Sequence, residues 1–204
     1  MTSKTHLAVG CAAALYITSP SDFPELVTCL GISSIGSVIS DIDAPRSESR
    51  KGLGKIIAVT VLGIALIFGA DLFFDTSIIS GIESNAGIMR LITGFFLLIG
   101  ICIFGEHQPH RSFMHSIAGV AAVTLAFSVL IPSSVKYMAV SMLSHILIDM
   151  LNKKGIRLFY PLRKPMISLD ICYADGIINK LLFFAASAAG IVKVALIITH
   201  LIHN

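Results

Sequence analysis

The chain has 204 residues, of which 55% are hydrophobic and only 13% charged, with a mean hydropathy of +0.86 and a formal net charge of +3. Soluble domains average roughly 25% charged residues, and a small globule must cover its surface with polar groups. The composition therefore excludes an ordinary soluble domain. Because long apolar stretches alternate with short charged loops, the sequence predicts a single all-α domain, a polytopic transmembrane helical bundle.

Seven apolar segments predict about six to seven membrane helices. They cover residues 5–19, 24–40, 55–74, 87–104, 115–131, 135–151 and 177–199. A spanning helix needs about 20 residues, so the first segment is short for a span. It follows a single Lys and could resemble a signal peptide, but Ser19-Pro20-Ser21 is a poor cleavage site. We therefore expect a retained first helix.

The distribution of Lys and Arg predicts the sidedness of the bundle. If the chain starts on side A, the loops at 41–54, 105–114 and 152–176 lie on that side too. All fifteen Lys and Arg residues except Arg90, Lys136 and Lys193 then fall on side A. The positive-inside rule makes side A the cytoplasmic face.

Four polar features stand out, and the predicted topology puts all of them on side A. In chain order they are His6, the pair Asp41 and Asp43, the pair His110 and His115, and the pair His145 and Asp149. The topology was derived from apolar runs and the sidedness from Lys and Arg, so neither used His or Asp. Their convergence on one face is therefore an independent indication of a common site.

The spacing of these residues is typical of metal ligation. His145 and Asp149 are four apart on a helix and share one face. Asp41 and Asp43 point the same way if their stretch is extended, and a cation would relieve their repulsion. His110 and His115 straddle the start of a helix. Mixed His and Asp ligation favours Zn²⁺ first, with Mn, Fe or Mg as alternatives. The four cysteines have no metal-ligand spacing and are expected to be buried apolar residues.

Such a site suits hydrolysis of a phosphate ester. Two divalent ions about 3.5–4 Å apart activate a bridging water and stabilise the in-line transition state. Arg111 lies within the His motif and is predicted to clamp a phosphate, with Arg46 as a second candidate. We predict catalytic roles for Arg111, Asp43 and His115. The expected substrate is a membrane lipid or a lipid-linked phosphate at the cytoplasmic face, and no nucleic-acid partner is expected.

Other interpretations of the same residues stay open. His145 and Asp149 could form an interhelical hydrogen-bonded pair, and Asp41 and Asp43 could be solvated at a helix end. Two other functions also fit. A cation transporter would have polar residues along a path across the membrane. A non-catalytic protein with a structural metal would have a closed ligand shell.

At these residues the sequence resembles the YdjM-like family of LexA-regulated, inner-membrane, metal-dependent hydrolases of bacteria. The resemblance covers residues 6 to about 165 in order. Its motifs are His6, Asp41-Ile-Asp43-x-Pro45-x-Ser47, His110-Arg-x-Phe-x-His115-Ser116, Ser144-His145-x-Leu-x-Asp149-Met-Leu and Gly155-Ile-x-Leu-x-x-Pro161. This chain departs from the family pattern at Pro109, where Gly is common.

The resemblance implies a membrane location and metal-dependent hydrolysis. It also implies an acidic residue shortly before the last helix, a position that Asp175 or Asp170 could take. A looser similarity, in the His145-x-x-x-Asp149 helix, extends to zinc-dependent phospholipase C and single-strand nucleases. Those enzymes are helical and use three metals to hydrolyse phosphoesters. This similarity therefore favours phosphoester cleavage.

Overall fold

A computed structural model describes residues 1–45, 47–74, 81–82, 85–162, 165–174 and 176–203. Over this part of the chain the regular structure is helical apart from two isolated β-bridges, between Asn152 and Cys172 and between Ile156 and Ile167. The α-helices are α1 (Ser3–Thr18), α2 (Phe23–Ile39), α3 (Glu48–Phe74), α4 (Ala86–Glu106), α5 (Ile117–Leu130), α6 (Val135–Met150) and α7 (Ile177–His203). The predicted all-α class is confirmed.

Among the residues that the structure describes, three helices are long and apolar enough to cross a membrane: Phe23–Asp43, Ala86–Glu106 and Ile177–His203, where the first includes the turn after α2. The expected six to seven spans are not confirmed. Helices α1 and α6 have 16 residues each and α5 has 14, which corresponds to roughly 24 Å and 21 Å of helix, less than the hydrocarbon core of a typical bilayer.

Local sequence signals set several helix ends. The Asp22 carboxylate caps α2 by accepting from the Glu25 amide at 2.6 Å, and the Ser116 hydroxyl caps α5 by accepting from the Gly119 amide at 3.1 Å. Such caps satisfy backbone donors that the first helical turn leaves unpaired. Helix α2 continues into a 3₁₀ turn over Ser40–Asp43. The ends of α2 and α6 and the start of α5 thereby bring the His and Asp motifs into one region.

Small residues hold α1, α2 and α6 against one another. A Cβ atom on Gly10 of α1 would lie 1.9 Å from the Ser37 Oγ of α2, and one on Gly36 of α2 would lie 2.0 Å from the Ser141 Oγ of α6. Ser37 and Ser141 are fully buried, and each hydroxyl donates to a carbonyl of its own helix. Membrane helices commonly approach closely through small residues in this way. This packing lets short side chains on the three helices meet.

The loop after α6 folds back onto the His motif. The Arg157 amide donates to the Arg111 carbonyl at 2.9 Å, and the Ile117 amide donates to the Leu158 carbonyl at 3.0 Å. Ile156 is fully buried in the main apolar core, which also contains Met114 and Met142. The segment around residues 110–117 is therefore fixed from both sides by backbone hydrogen bonds.

The close contact of α2 with α6 gives a stability prediction. We expect Gly36→Val to lower the free energy of unfolding by about 1–3 kcal/mol, because the new side chain overpacks against Ser141 and Met138. Thermal unfolding of the detergent-purified protein measures the effect. Gly31→Val on the same helix is the matched control, since a Cβ there meets nothing within 4 Å. Equal melting temperatures for the two variants would contradict this packing argument.

Candidate metal centre

Three side-chain atoms, from Asp41, His145 and Asp149, lie within 3.8 Å of His115 Nε2. His115 Nε2 lies 3.3 Å from His145 Nε2, 3.5 Å from Asp149 Oδ2 and 3.8 Å from Asp41 Oδ1. His145 Nε2 lies 3.7 Å from the same Asp41 oxygen and 3.9 Å from the same Asp149 oxygen. His115, His145 and Asp149 are buried. With His6 these residues form the ligand cluster: His6, Asp41, His115, His145 and Asp149.

The spacing of these atoms fits a metal ion. Zinc binds nitrogen and oxygen at about 2.0–2.2 Å in tetrahedral sites, which puts neighbouring ligand atoms roughly 3.3–3.6 Å apart. The distances above, from 3.3 to 3.9 Å, lie at or slightly beyond that spacing. Within the described residues, three groups of His and Asp have ligand atoms within 4.8 Å of one another, and two of the groups share His145. The donor set therefore fits a divalent cation.

A backbone carbonyl orients His145. Its Nδ1 lies 2.7 Å from the Ser37 carbonyl oxygen of α2. Because a carbonyl only accepts, Nδ1 carries the proton, and the Nε2 lone pair faces the cluster. Metal-binding histidines are commonly oriented in this way. Sequence reasoning missed this contact because it is made by a backbone carbonyl.

His6 contacts two other residues of the cluster, His145 and Asp149. Its ring stacks on the His145 ring with centroids 3.6 Å apart and planes 15° apart. Its Nε2 lies 3.3 Å from Asp149 Oδ1, and its buried Nδ1 has no hydrogen-bond partner among the described residues. The Met1 amino nitrogen also contacts Asp149 Oδ1, at 2.9 Å. Thus Oδ1 of Asp149 contacts His6 and Met1, whereas its Oδ2 contacts His115 and His145.

Asp43 contacts His115 of the cluster on the ring nitrogen that faces away from His145, and it also contacts His110. Its Oδ2 lies 3.2 Å from His115 Nδ1 and accepts from the Arg111 amide at 3.0 Å, while its Oδ1 lies 2.7 Å from His110 Nδ1. The expectation of an extended stretch at 41–43 was wrong. Residues two apart in a 3₁₀ turn point about 120° apart. Asp41 and Asp43 accordingly approach different nitrogens of His115, Nε2 and Nδ1 respectively. Asp43 therefore contacts His115 on its Nδ1 side and can orient the ring. Because it also belongs with His110 and His115 to one of the three groups that could hold a metal, its predicted roles as ligand and catalytic residue stay predictions.

His110 lies at the rim of the site. Its side chain is 41% exposed, and its ring centroid is 5.5 Å from that of His115 in a perpendicular arrangement. It belongs with Asp43 and His115 to one of the three groups that could hold a metal. Its contact with Asp43 is short enough to be an ordinary hydrogen bond. The structure therefore brings His110 to the site but not among the atoms around His115 Nε2.

Arg111 borders both the cluster and an open pocket. Its guanidinium lies 3.5 Å from Asp149 Oδ2 and donates to the Lys154 carbonyl, whereas its buried Nε has no partner among the described residues. Its backbone has a φ of +64°, an uncommon conformation for a residue other than glycine. The pocket has a volume of about 410 Å³ and is lined by Met1, Ser3, Asp41, Ala44, Pro45, Ser47, His110, Arg111 and Asp149. A small anionic group could enter there.

The electrostatics of the site favour a cation near His115. Burial lowers the pKa of His115, but hydrogen bonds to and negative charges on Asp149 and Asp43 outweigh it and raise the pKa to about 9. A proton on Nε2 lies among Asp41, His145 and Asp149, so it competes with a metal ion for the same position. The carboxylates of Asp43 and Asp149 thus stabilise positive charge at His115, whether a proton or a metal ion carries it.

Other predicted residues lie elsewhere. Arg46 and Asp175 fall outside the described residues. Asp170 is exposed and lies 3.7 Å from Lys153 Nζ, so it does not join the cluster. All four cysteines are free, and three of them are buried, as expected for apolar packing residues.

The comparison with protein families agrees with the membrane character of the chain and its ordered motifs. The model of the YdjM inner membrane protein family matches residues 1–203. The chain belongs to this family. It is therefore an inner membrane protein by family, and the resemblance seen in its motifs is confirmed. No curated protein and no solved structure matches the chain significantly.

The position of Asp43 gives a prediction that separates a ligand from an orienting residue. We expect Asp43→Asn to retain stoichiometric metal but to weaken its affinity by about 10–100-fold, because the amide orients His115 less well. Asp149→Asn should lose the metal, since it removes a converging carboxylate. Titration of Zn²⁺ into the metal-free protein by competition with a chelating dye measures both. Equal loss in the two variants would make Asp43 a direct ligand.

Proposed function

We propose that this protein is a membrane-bound, metal-dependent hydrolase that cleaves a phosphate ester at the cytoplasmic face of the inner membrane. The observation that carries the proposal is that Asp41 Oδ1, His145 Nε2 and Asp149 Oδ2 all lie within 3.8 Å of the buried His115 Nε2. Such buried polar atoms are costly in a membrane protein and commonly mark a functional site.

Asp41, His115, His145 and Asp149 would hold one divalent ion, with Zn²⁺ favoured by the mixed nitrogen and oxygen donors. His6 and the second oxygen of Asp149 lie 3.3 Å apart and could contribute to a second ion. A bound divalent ion supplies a Lewis acid that activates water and stabilises charge on a phosphate. The residues around it then have to orient the substrate and admit water.

Arg111 is the residue that we propose binds the phosphate. Its guanidinium lies between the Asp149 carboxylate and the open pocket, and guanidinium groups bind phosphate oxygens bidentately. The positive φ at Arg111 and the bond from its amide to Asp43 couple the position of this side chain to that of His115. His110, exposed at the rim and hydrogen-bonded to Asp43, is available to exchange protons with solvent.

The geometry favours hydrolysis over the two alternatives. A cation transporter would use charged groups along a path across the membrane, whereas the His and Asp residues of the cluster lie near the starts of α1 and α5 and the ends of α2 and α6. A purely structural metal needs a closed shell, whereas Asp41 is 17% exposed and borders the pocket. Substrate and water can therefore approach the cluster from that side.

Removal of single ligands gives the test. We expect the wild-type protein to contain stoichiometric Zn, Mn or Fe, and His145→Gln and Asp149→Asn to lose it together with activity, because each removes one converging donor. Elemental mass spectrometry of the detergent-purified proteins measures the metal. Release of inorganic phosphate from phosphatidic acid, and of nitrophenol from bis-nitrophenyl phosphate, measures the two kinds of phosphoester cleavage.

His107→Gln is the matched control for these variants. His107 is exposed, and its Nδ1 contacts the Ile103 carbonyl of its own helix at 2.8 Å, so its loss should change neither metal content nor activity. Gel filtration of each variant excludes misfolding as the cause of metal loss. A wild-type protein that takes up no metal on reconstitution would overturn the hydrolase proposal.

A further inference from the structure

An apolar cleft runs along the bundle between α2, α3 and α4. Its first part has a volume of about 440 Å³, and Ile39, Ile42 and Leu98 are among its lining residues. The Ser49 hydroxyl, which also lines it, is satisfied by the Val38 carbonyl at 2.8 Å. A second part of about 760 Å³ shares Phe95 and Leu130 with the first and extends between α3 and α4. The two parts form one cleft, named here the α3 cleft.

The α3 cleft begins beside the metal centre. Ile42 lines the cleft and belongs to the same 3₁₀ turn as Asp41 and Asp43. Ser47 lines the pocket at Arg111, and Ser49, two residues later, lines the cleft. A single short stretch of chain therefore borders both cavities. From Ile42 to Ile32 the cleft follows α2 for roughly 15 Å, at the usual rise per helical residue.

The surroundings of the α3 cleft are suited to lipid. Helices α2 and α4 are candidate membrane spans, and the outer face of α3 exposes large apolar side chains, with Val59 71% and Leu66 65% exposed. An apolar face of this extent is unfavourable against water. A hydrocarbon chain that enters between α3 and α4 meets mostly aliphatic and aromatic side chains. The Thr60 hydroxyl, which also lines this part, donates to the Ile56 carbonyl of its own helix at 2.8 Å.

We propose that the α3 cleft binds one hydrocarbon chain of the substrate, whose phosphate lies in the pocket at Arg111. This inference rests on the proposed hydrolase function and specifies its substrate class as an anionic membrane phospholipid. Adjacent cavities for a chain and for a phosphate would select a lipid over a soluble phosphate ester. In a bilayer the chain gains little hydrophobic free energy by leaving other lipids, so the phosphate contact should provide the selectivity.

Photocrosslinking tests the α3 cleft independently of turnover. The probes are a phosphatidic acid and a diacylglycerol, each with a diazirine in one acyl chain, in nanodiscs that contain the full-length protein. Gly52→Leu should lose most labelling of the α2 and α4 residues that line the cleft, because Gly52 lines it and an added Cβ meets nothing within 4 Å. Gly54→Leu, on the same helix with equally open space and outside the cleft lining, should label as the wild type does.

The two probes separate a bound substrate from surrounding lipid. We expect phosphatidic acid to label the cleft more strongly than diacylglycerol does, and both probes to label the exposed face of α7 equally. Equal labelling of the cleft by both probes, or no effect of Gly52→Leu, would overturn the proposal. Labelling requires neither metal nor catalysis. Selective labelling of a protein that binds no metal would therefore contradict the proposed hydrolase function but support the lipid site.

Discussion

The structure depends on the burial of carboxylates and imidazoles at the meeting point of several helices. Asp43, His115, His145 and Asp149 are each no more than 3% exposed, and buried charges are unfavourable unless they are paired or bound to a cation. Arg111, the Met1 amino group and a proton on His115 supply positive charge here. Asp41, His115 and His145 also form one of the groups that could hold a metal ion.

The rest of the fold can be understood as the support of that cluster. Gly10, Gly36 and the buried serines let α1, α2 and α6 approach closely enough for His6 to stack on His145. The Ser37 carbonyl and the Asp43 carboxylate orient the two central histidines from behind. Such outer contacts fix which ring nitrogen faces a metal and are as much a part of a metal site as the ligands. The apolar α3 cleft reaches the cluster through the turn that carries Asp41 and Asp43.

Much of the candidate site could be predicted from the sequence because its signals are local. The four-residue spacing of His145 and Asp149 defines one helix face whatever else the chain does, and apolar runs placed the motifs at one end of the bundle. The all-α class follows from the same runs. The number of spans could not be derived in this way, since α1 and α6 are apolar but have only 16 residues each and bury part of their side chains against other helices.

The orientation of individual side chains was beyond sequence reasoning. An Asp-x-Asp motif directs both carboxylates to one side in an extended stretch but separates them in a 3₁₀ turn, and only the fold decides between the two. The contact between Ser37 and His145 is made by a backbone carbonyl, so the residue type at position 37 gives no sign of it. The α3 cleft likewise depends on the distance between helices, which apolar periodicity does not encode.

The ligand environment of the bound metal tests the account most directly. X-ray absorption at the zinc edge, on protein reconstituted with one equivalent of Zn²⁺, reports the atoms bound to the ion. The account predicts only nitrogen and oxygen neighbours at about 2.0–2.2 Å, with the multiple scattering of two imidazole rings. A sulfur neighbour at about 2.3 Å, or a shell of water oxygens without imidazole, would contradict a centre built from Asp41, His115, His145 and Asp149.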